Sequence, residues 1–186
     1  MGKKLSEMSL EELWQLFPIF LTAHQDCWMD WYREEERLLK GILPQTAEIF
    51  HIGSTAVPTI SAKPIIDILV LVPENTKLAD HKDTIANSGY ICMNQADHSI
   101  SFNKGYTADG FAERVFHLHL KYAGNSDELY FRDYLLEHPD TAKEYEKLKL
   151  ALWKTYEHNR DAYTNAKTDF VKRCTMQARQ LYGQRY

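Results

Sequence analysis

The chain has 186 residues, 44% of them hydrophobic and 12% aromatic, enough for one well-formed core but short for two domains with cores of their own. Its 22 Lys and Arg against 26 Asp and Glu give a net charge of −4, which argues against general nucleic-acid binding and leaves room for a local basic pocket. Cys27, Cys92 and Cys174 are odd in number and form no CxxC pair, so they read as reduced core thiols rather than a disulfide scaffold or zinc ribbon. The polar start does not resemble a signal peptide, and no apolar run approaches the roughly 20 residues that span a bilayer; a cytoplasmic location without a membrane partner is expected. Gly2 followed by Ser6 fits a myristoylation pattern only loosely.

A short helix is predicted over 9–17. Ser9 stands three residues before Glu12, the spacing of a capping box, and Pro18 interrupts the run. A longer helix is predicted over 19–41, with Phe20, Cys27, Trp28, Trp31, Leu38 and Ile42 close to helical period. Glu35 occupies the turn this stripe leaves empty, and Gly41 and Pro44 supply the stop. A strand over 47–52 ends at Gly53. Residues 65–72, Ile-Ile-Asp-Ile-Leu-Val-Leu-Val, make the near-continuous apolar run of a central strand covered on both faces, with Asp67 alone inside it. Pro73 closes that strand. A helix over 77–88, extended segments over 90–93 and 100–103, and a polar turn over 105–110 follow. Over 114–122, Val115, His117, His119 and Lys121 alternate with Phe116, Leu118, Leu120 and Tyr122, a strand period. Helices are then predicted over 127–137, 140–156 and 160–182, the second carrying an apolar stripe of Ala142, Tyr145, Leu148, Leu152 and Tyr156. The order helix, mixed sheet, helices predicts one α/β domain of mixed α+β kind over 1–186, with a helical extension over about 1–20.

His51-Ile-Gly-Ser-Thr-Ala-Val-Pro is the most informative stretch. Gly53 permits a turn that few residues adopt and a close ligand approach, while Ser54 and Thr55 offer hydroxyls and main-chain N–H groups to an anion. An ordinary capped turn reads the same way. Asp67 changes the balance, because an isolated carboxylate in an apolar strand is costly unless paired, hydrogen-bonded or bound to a metal. A structural ion pair would answer that cost. A Mg²⁺-ligating aspartate beside a phosphate pocket accounts for more residues together, with Lys63 neutralising phosphate charge. Lys63 as a solvated loop residue is the alternative.

The line HIGSTAVPTISAKPIIDILVLV closely resembles the signature of the GrpB family, whose members have a nucleotidyltransferase-like fold. The resemblance runs over nearly the whole chain from about Trp28: Trp28, Glu35 and Leu39 on the first long helix, Arg114, His117 and His119 on a strand, then Phe131 to Leu135, His138-Pro139, Tyr145 and Leu148-Lys149. It implies a small mixed sheet flanked by helices, with further C-terminal helices. It also implies a Gly-Ser turn for a nucleotide triphosphate, and paired carboxylates on the next strand that hold Mg²⁺ or Mn²⁺.

The chain departs from that pattern. Ile65 or Leu69 stands where a second carboxylate would accompany Asp67, and Thr59 stands where the family usually has Gly. His117 and His119, two apart on one strand face, are candidates to complete the site, or else a polar stripe. Glu35 is the other candidate ligand, or a boundary residue paired with Arg37. Arg114 and Arg132 could grip phosphate with two-pronged hydrogen bonds, although Arg132 beside Asp133 reads equally as a structural pair. His51 borders the turn and could bind ligand or cap the strand.

Three functions follow from these residues. The first is a Mg²⁺-dependent nucleotidyltransferase acting on a nucleotide or other phosphorylated small molecule. The second is a non-catalytic phosphate- or nucleotide-binding accessory protein, in keeping with similar domains fused to dephospho-CoA kinase. The third is a metal-dependent hydrolase built on Asp67, His117 and His119.

Overall fold

The computed structural model describes residues 3–124 and 126–186; Gly2, on which a myristoylation pattern depends, lies outside them. Helix α1, Leu10–Leu16, starts from the expected capping box: Glu12 N–H donates to Ser9 Oγ at 3.2 Å and Ser9 N–H to Glu12 Oε2 at 2.7 Å. The long helix predicted over 19–41 is shorter. Helix α2 runs Cys27–Ile42, and residues 18–26 form an irregular connection with one β-bridge, Thr22 to Ala62. Their backbone is tied elsewhere, Ile19 N–H to Glu157 O at 2.8 Å and Thr22 to Ala62 by reciprocal 2.9 Å bonds. Phe17, Ile19 and Leu21 are buried with Phe20 exposed, an alternation of period two that masquerades as a helix start.

Strands β1, Glu48–Ile52, β2, Ile66–Val72, β3, Ile91–Ala96, β4, Ser99–Thr107, and β5, Gly110–Tyr122, form one mixed sheet of order β1-β2-β5-β4-β3. β2 pairs antiparallel with β1 and parallel with β5. The polar turn predicted over 105–110 is mostly strand: β4 and β5 form a long hairpin, and Gly105 (φ 89°) allows an irregular step where any Cβ would lie 2.2 Å from Arg114 O. Between β2 and β3 a 3-10 turn, Leu78–His81, leads into helix α3, Lys82–Asn87.

β2 is central, and its two faces meet different layers. Ile66, Ile68, Val70 and Val72 pack with Trp28 and Leu39 of α2 and Ile85 of α3. Leu69 and Leu71 pack with Ile52 of β1 and Leu129 of helix α4, Asp127–Glu137. The chain then forms α5, Pro139–Tyr156, α6, Arg160–Asn165, and α7, Thr168–Tyr182. The single helix predicted over 160–182 breaks at Ala166 and Lys167, where Lys167 N–H turns back to Thr164 O at 3.2 Å. α4, α5 and α7 share a second core of Val57, Ile60, Leu135, Ala142, Tyr145, Phe170 and Cys174. No described helix is long and apolar enough to cross a membrane.

Candidate functional site

Between the two cores lies the mouth of the sheet. β1 ends at Ile52, and Gly53 turns the chain with φ 72° into one 3-10 turn, Ser54–Ala56. Asp67, second residue of β2, stands opposite Ile52 on one side and His117 of β5 on the other. The parallel β2–β5 pairing therefore brings together two residues fifty positions apart. A Cβ at position 53 would lie 2.3 Å from Asp67 Oδ2, so the turn can approach the carboxylate only as glycine.

A cleft of about 190 Å³ opens at this point. Gly53, Ser54, Asp67 and His117 line it from the sheet, Tyr145 and Lys149 from α5, Tyr163 from α6, Lys167 from the break before α7, and Lys63 from the β1–β2 connection. Lys149, 2% exposed, donates from Nζ to Ser54 Oγ at 2.9 Å and to Ser61 O. The ammonium groups of Lys63 and Lys167 lie over the ring of Tyr163 at 5.5 and 4.2 Å from its centre. Tyr163 is 1% exposed, and its hydroxyl has no hydrogen-bond partner among the described residues.

Burial and mutual repulsion lower the basicity of these amines. Burial, with Arg160, Lys167 and Lys149 nearby, brings Lys63 down to about 7 against the pull of Asp67. Burial and Lys167 bring Lys149 to about 7, and burial brings Lys167 to about 8 although Asp67 opposes it. Burial works to raise the Asp67 carboxyl, but contact with His117 and the charges of His119 and Lys63 outweigh it and hold the group at about 2. His117 Nδ1 lies 3.2 Å from Asp67 Oδ1, and its Nε2 is 2.8 Å from the Tyr106 hydroxyl. Burial lowers the His117 pKa despite the carboxylate, which favours the neutral ring. Nδ1–H then faces Asp67, and Nε2 accepts from Tyr106 O–H.

The structure brings Gly53, Ser54, Lys63, Asp67 and His117 to one cleft, with Thr55 at its edge. Thr55 Oγ1 is turned inward, 2.9 Å from His51 Nε2 and 3.4 Å from Ile65 O. His51 faces the opposite side of the sheet, stacked on Tyr32 with ring centres 4.7 Å apart, and burial pushes its pKa down to about 4. Glu35, of α2, is on that opposite side too, paired with Lys104 at 2.7 Å rather than with Arg37. Arg114 pairs with exposed Glu34 and lies over Trp31. Arg132 is held by Asp133 at 2.7 Å and by His51 O at 3.0 Å, outside the cleft lining. His119 shares the Asp67 face one step deeper along β5, opposite Leu69, and does not line the cleft.

These donors do not fit a resident two-metal centre. Asp67 is the one carboxylate lining the cleft, both ring nitrogens of His117 are engaged, and no group of three or more His, Cys, Asp or Glu that could hold a metal occurs among the described residues. What the cleft has in quantity is cationic nitrogen. Of these three amines only Lys63 stands out in the sequence as a site candidate; Lys149 belongs to the family resemblance without a role, and Lys167 to neither. A signal for Lys149 exists, since it lies seven residues after Ala142 and four after Tyr145 on the buried stripe of α5. Lys167 owes its place to the helix break, which no residue pattern announces.

A family model described as GrpB protein matches residues 18–177. The UPF0157 protein YqkA of Bacillus subtilis is 30% identical over 176 residues, 91% of this chain; the chain spans about half, 50%, of that relative's length. The crystal structure of conserved protein GrpB from Enterococcus faecalis superposes with a TM-score of 0.76 at 31% identity, covering 88% of this chain and 99% of that one. Cid1 in complex with the UTP analog UMPNPP has a similar fold, TM-score 0.51 at 14% identity, over 77% of this chain and 48% of Cid1.

Proposed function

This chain belongs to the GrpB family, and we propose that it binds a phosphorylated small molecule, a nucleotide foremost, in the cleft beside the Gly53-Ser54 turn. One observation carries this reading. In a chain of net charge −4, Lys63, Lys149 and Lys167 from three separate segments gather with Ser54 around one small cleft. Like charges drawn together out of water repel, and an anion between them relieves that repulsion. The nucleotidyltransferase-like fold supports a nucleotide as the ligand class, since Cid1 was solved with a UTP analog.

Isothermal titration calorimetry against phosphate, pyrophosphate, ATP and UTP tests the proposal. At least one probe should bind, and Lys149→Met and Lys167→Met should each weaken it tenfold or more. No heat with any probe, or affinity untouched by both substitutions, rejects it.

A second reading, transfer of a nucleoside monophosphate to a hydroxyl or phosphate acceptor, rests on Asp67 facing that same cleft with its side chain 30% exposed. Pyrophosphate release from labelled nucleotide, lost in Asp67→Asn, would establish it. Binding without turnover leaves the accessory-protein reading standing.

A further inference from the structure

The cleft read above as a phosphate site holds a surplus of positive charge and a single acid. We propose that its polyphosphate ligand binds without a divalent metal, the ammonium groups of Lys63, Lys149 and Lys167 taking the role of the ion. The inference rests on the phosphate-binding reading and specifies the form of the ligand, a metal-free polyanion.

The donor set argues for it first. Mg²⁺ asks for oxygen ligands in octahedral array, with at least one or two carboxylates beside the phosphate oxygens. Here the lone carboxylate, Asp67, has Oδ1 engaged 3.2 Å from His117 Nδ1 and Oδ2 packed against Gly53. The charged atoms brought by the helical wall are ammonium nitrogens, those of Lys149 and Lys167. Lys149 Nζ already sits 2.9 Å from Ser54 Oγ, at the residue whose turn would receive a phosphate.

The surrounding charge points the same way. Lys63 feels Arg160, Lys167 and Lys149 as repulsive neighbours and Asp67 as the attractive one. A dication entering this group would add to the repulsion, whereas a polyanion would convert it into attraction. Burial and crowding hold the three amines at about 7, 7 and 8, so they gain charge when an anion arrives. Tyr163, buried beneath two of them, adds a hydroxyl that has no hydrogen-bond partner among the described residues.

Calorimetry with pyrophosphate as probe tests the inference. The protein should bind pyrophosphate in EDTA, and saturating Mg²⁺ should weaken binding several-fold by drawing off the free anion. Asp67→Asn should bind as tightly as the parent or several-fold tighter, because it removes the one negative charge from the cleft. Binding that appears only with Mg²⁺, or that Asp67→Asn abolishes while its thermal melt stays cooperative, overturns the inference and leaves phosphate binding intact. No binding in either buffer overturns both. Should Asp67→Asn fail to fold, the comparison of EDTA with Mg²⁺ on the parent protein decides alone.

Discussion

At Gly53 a backbone requirement and a packing requirement coincide. The φ of 72° strains any L side chain, and an added Cβ would meet Asp67 Oδ2 at 2.3 Å, so relief at one point does nothing for the other. Gly53→Ala should lose roughly 1–3 kcal/mol of stability in urea denaturation. Gly41→Ala is the control. It sits in α2 with nothing within 4 Å of its new methyl, and should be neutral or gain up to about 1 kcal/mol. Equal stability of the two variants would mean that the turn relaxes freely. Tyr163 gives a second contrast at this scale. Its hydroxyl is buried without a partner among the described residues, so Tyr163→Phe should leave the free protein as stable or up to about 1 kcal/mol more stable. If the hydroxyl meets bound phosphate, the same variant should bind pyrophosphate several-fold more weakly. Unchanged affinity would remove Tyr163 from the ligand's contacts. Asp67 and the glycine turn were legible in the sequence because each breaks a local rule, a charge in an apolar strand and a glycine between a strand and hydroxyl residues. His51, Glu35, Arg114 and Arg132 carry suitable chemistry as well, but strand alternation and helix rotation send them elsewhere, and residue type alone does not encode that direction.

Among the elements, α4, α5, β2 and β5 fall within a few residues of their predicted bounds, β5 through strand alternation, α5 through an apolar helical stripe and β2 through an almost unbroken apolar run. Where two periods compete, the residue pattern misleads. Residues 18–26 carry enough spaced apolar side chains to pass for a helix, yet Ile19 and Thr22 bond to Glu157 and Ala62 instead of to a helical turn of their own. The α6–α7 break is equally silent, and it aims Lys167 at the cleft. α5 shows how one element serves two purposes. Its stripe packs Ala142 and Tyr145 into the second core and then places Lys149 at the next buried position. Lys149→Met keeps most of the length of the side chain and removes a buried charge. At pH 6 the variant should melt above the parent, and at about pH 9 the gap should shrink, since the parent's amine is then neutral in the fold. A variant that melts below the parent at both values would show that the bonds to Ser54 and Ser61 outweigh the cost of the charge.

For the whole molecule the three lysines set a pH dependence with a definite sign. Each has a folded pKa of about 7 to 8 against an ordinary value of 10.5. Between those limits the unfolded chain binds more protons than the fold, so stability rises with pH over that window and reaches its low plateau beneath it. Buried Tyr145 and Tyr163, whose pKa values burial pushes up from 10.0, reverse the trend in more alkaline solution by resisting ionisation in the fold. His51, lowered to about 4 from 6.5, removes stability as the solution is acidified between those two values. The melting temperature of the free protein should therefore climb from about pH 7 to about pH 9.5 before turning over. Saturating pyrophosphate should act against this slope. An anion in the cleft favours the charged amines, so it should raise the melting temperature more at pH 7 than at pH 9.5. Because the slope belongs to the amines and the reversal to their ligand, one set of melts reads both. A free-protein melt that falls over this range, or a pyrophosphate shift that grows with pH, would mean that the lysines stay charged in the empty fold and that the anion is held by some other group.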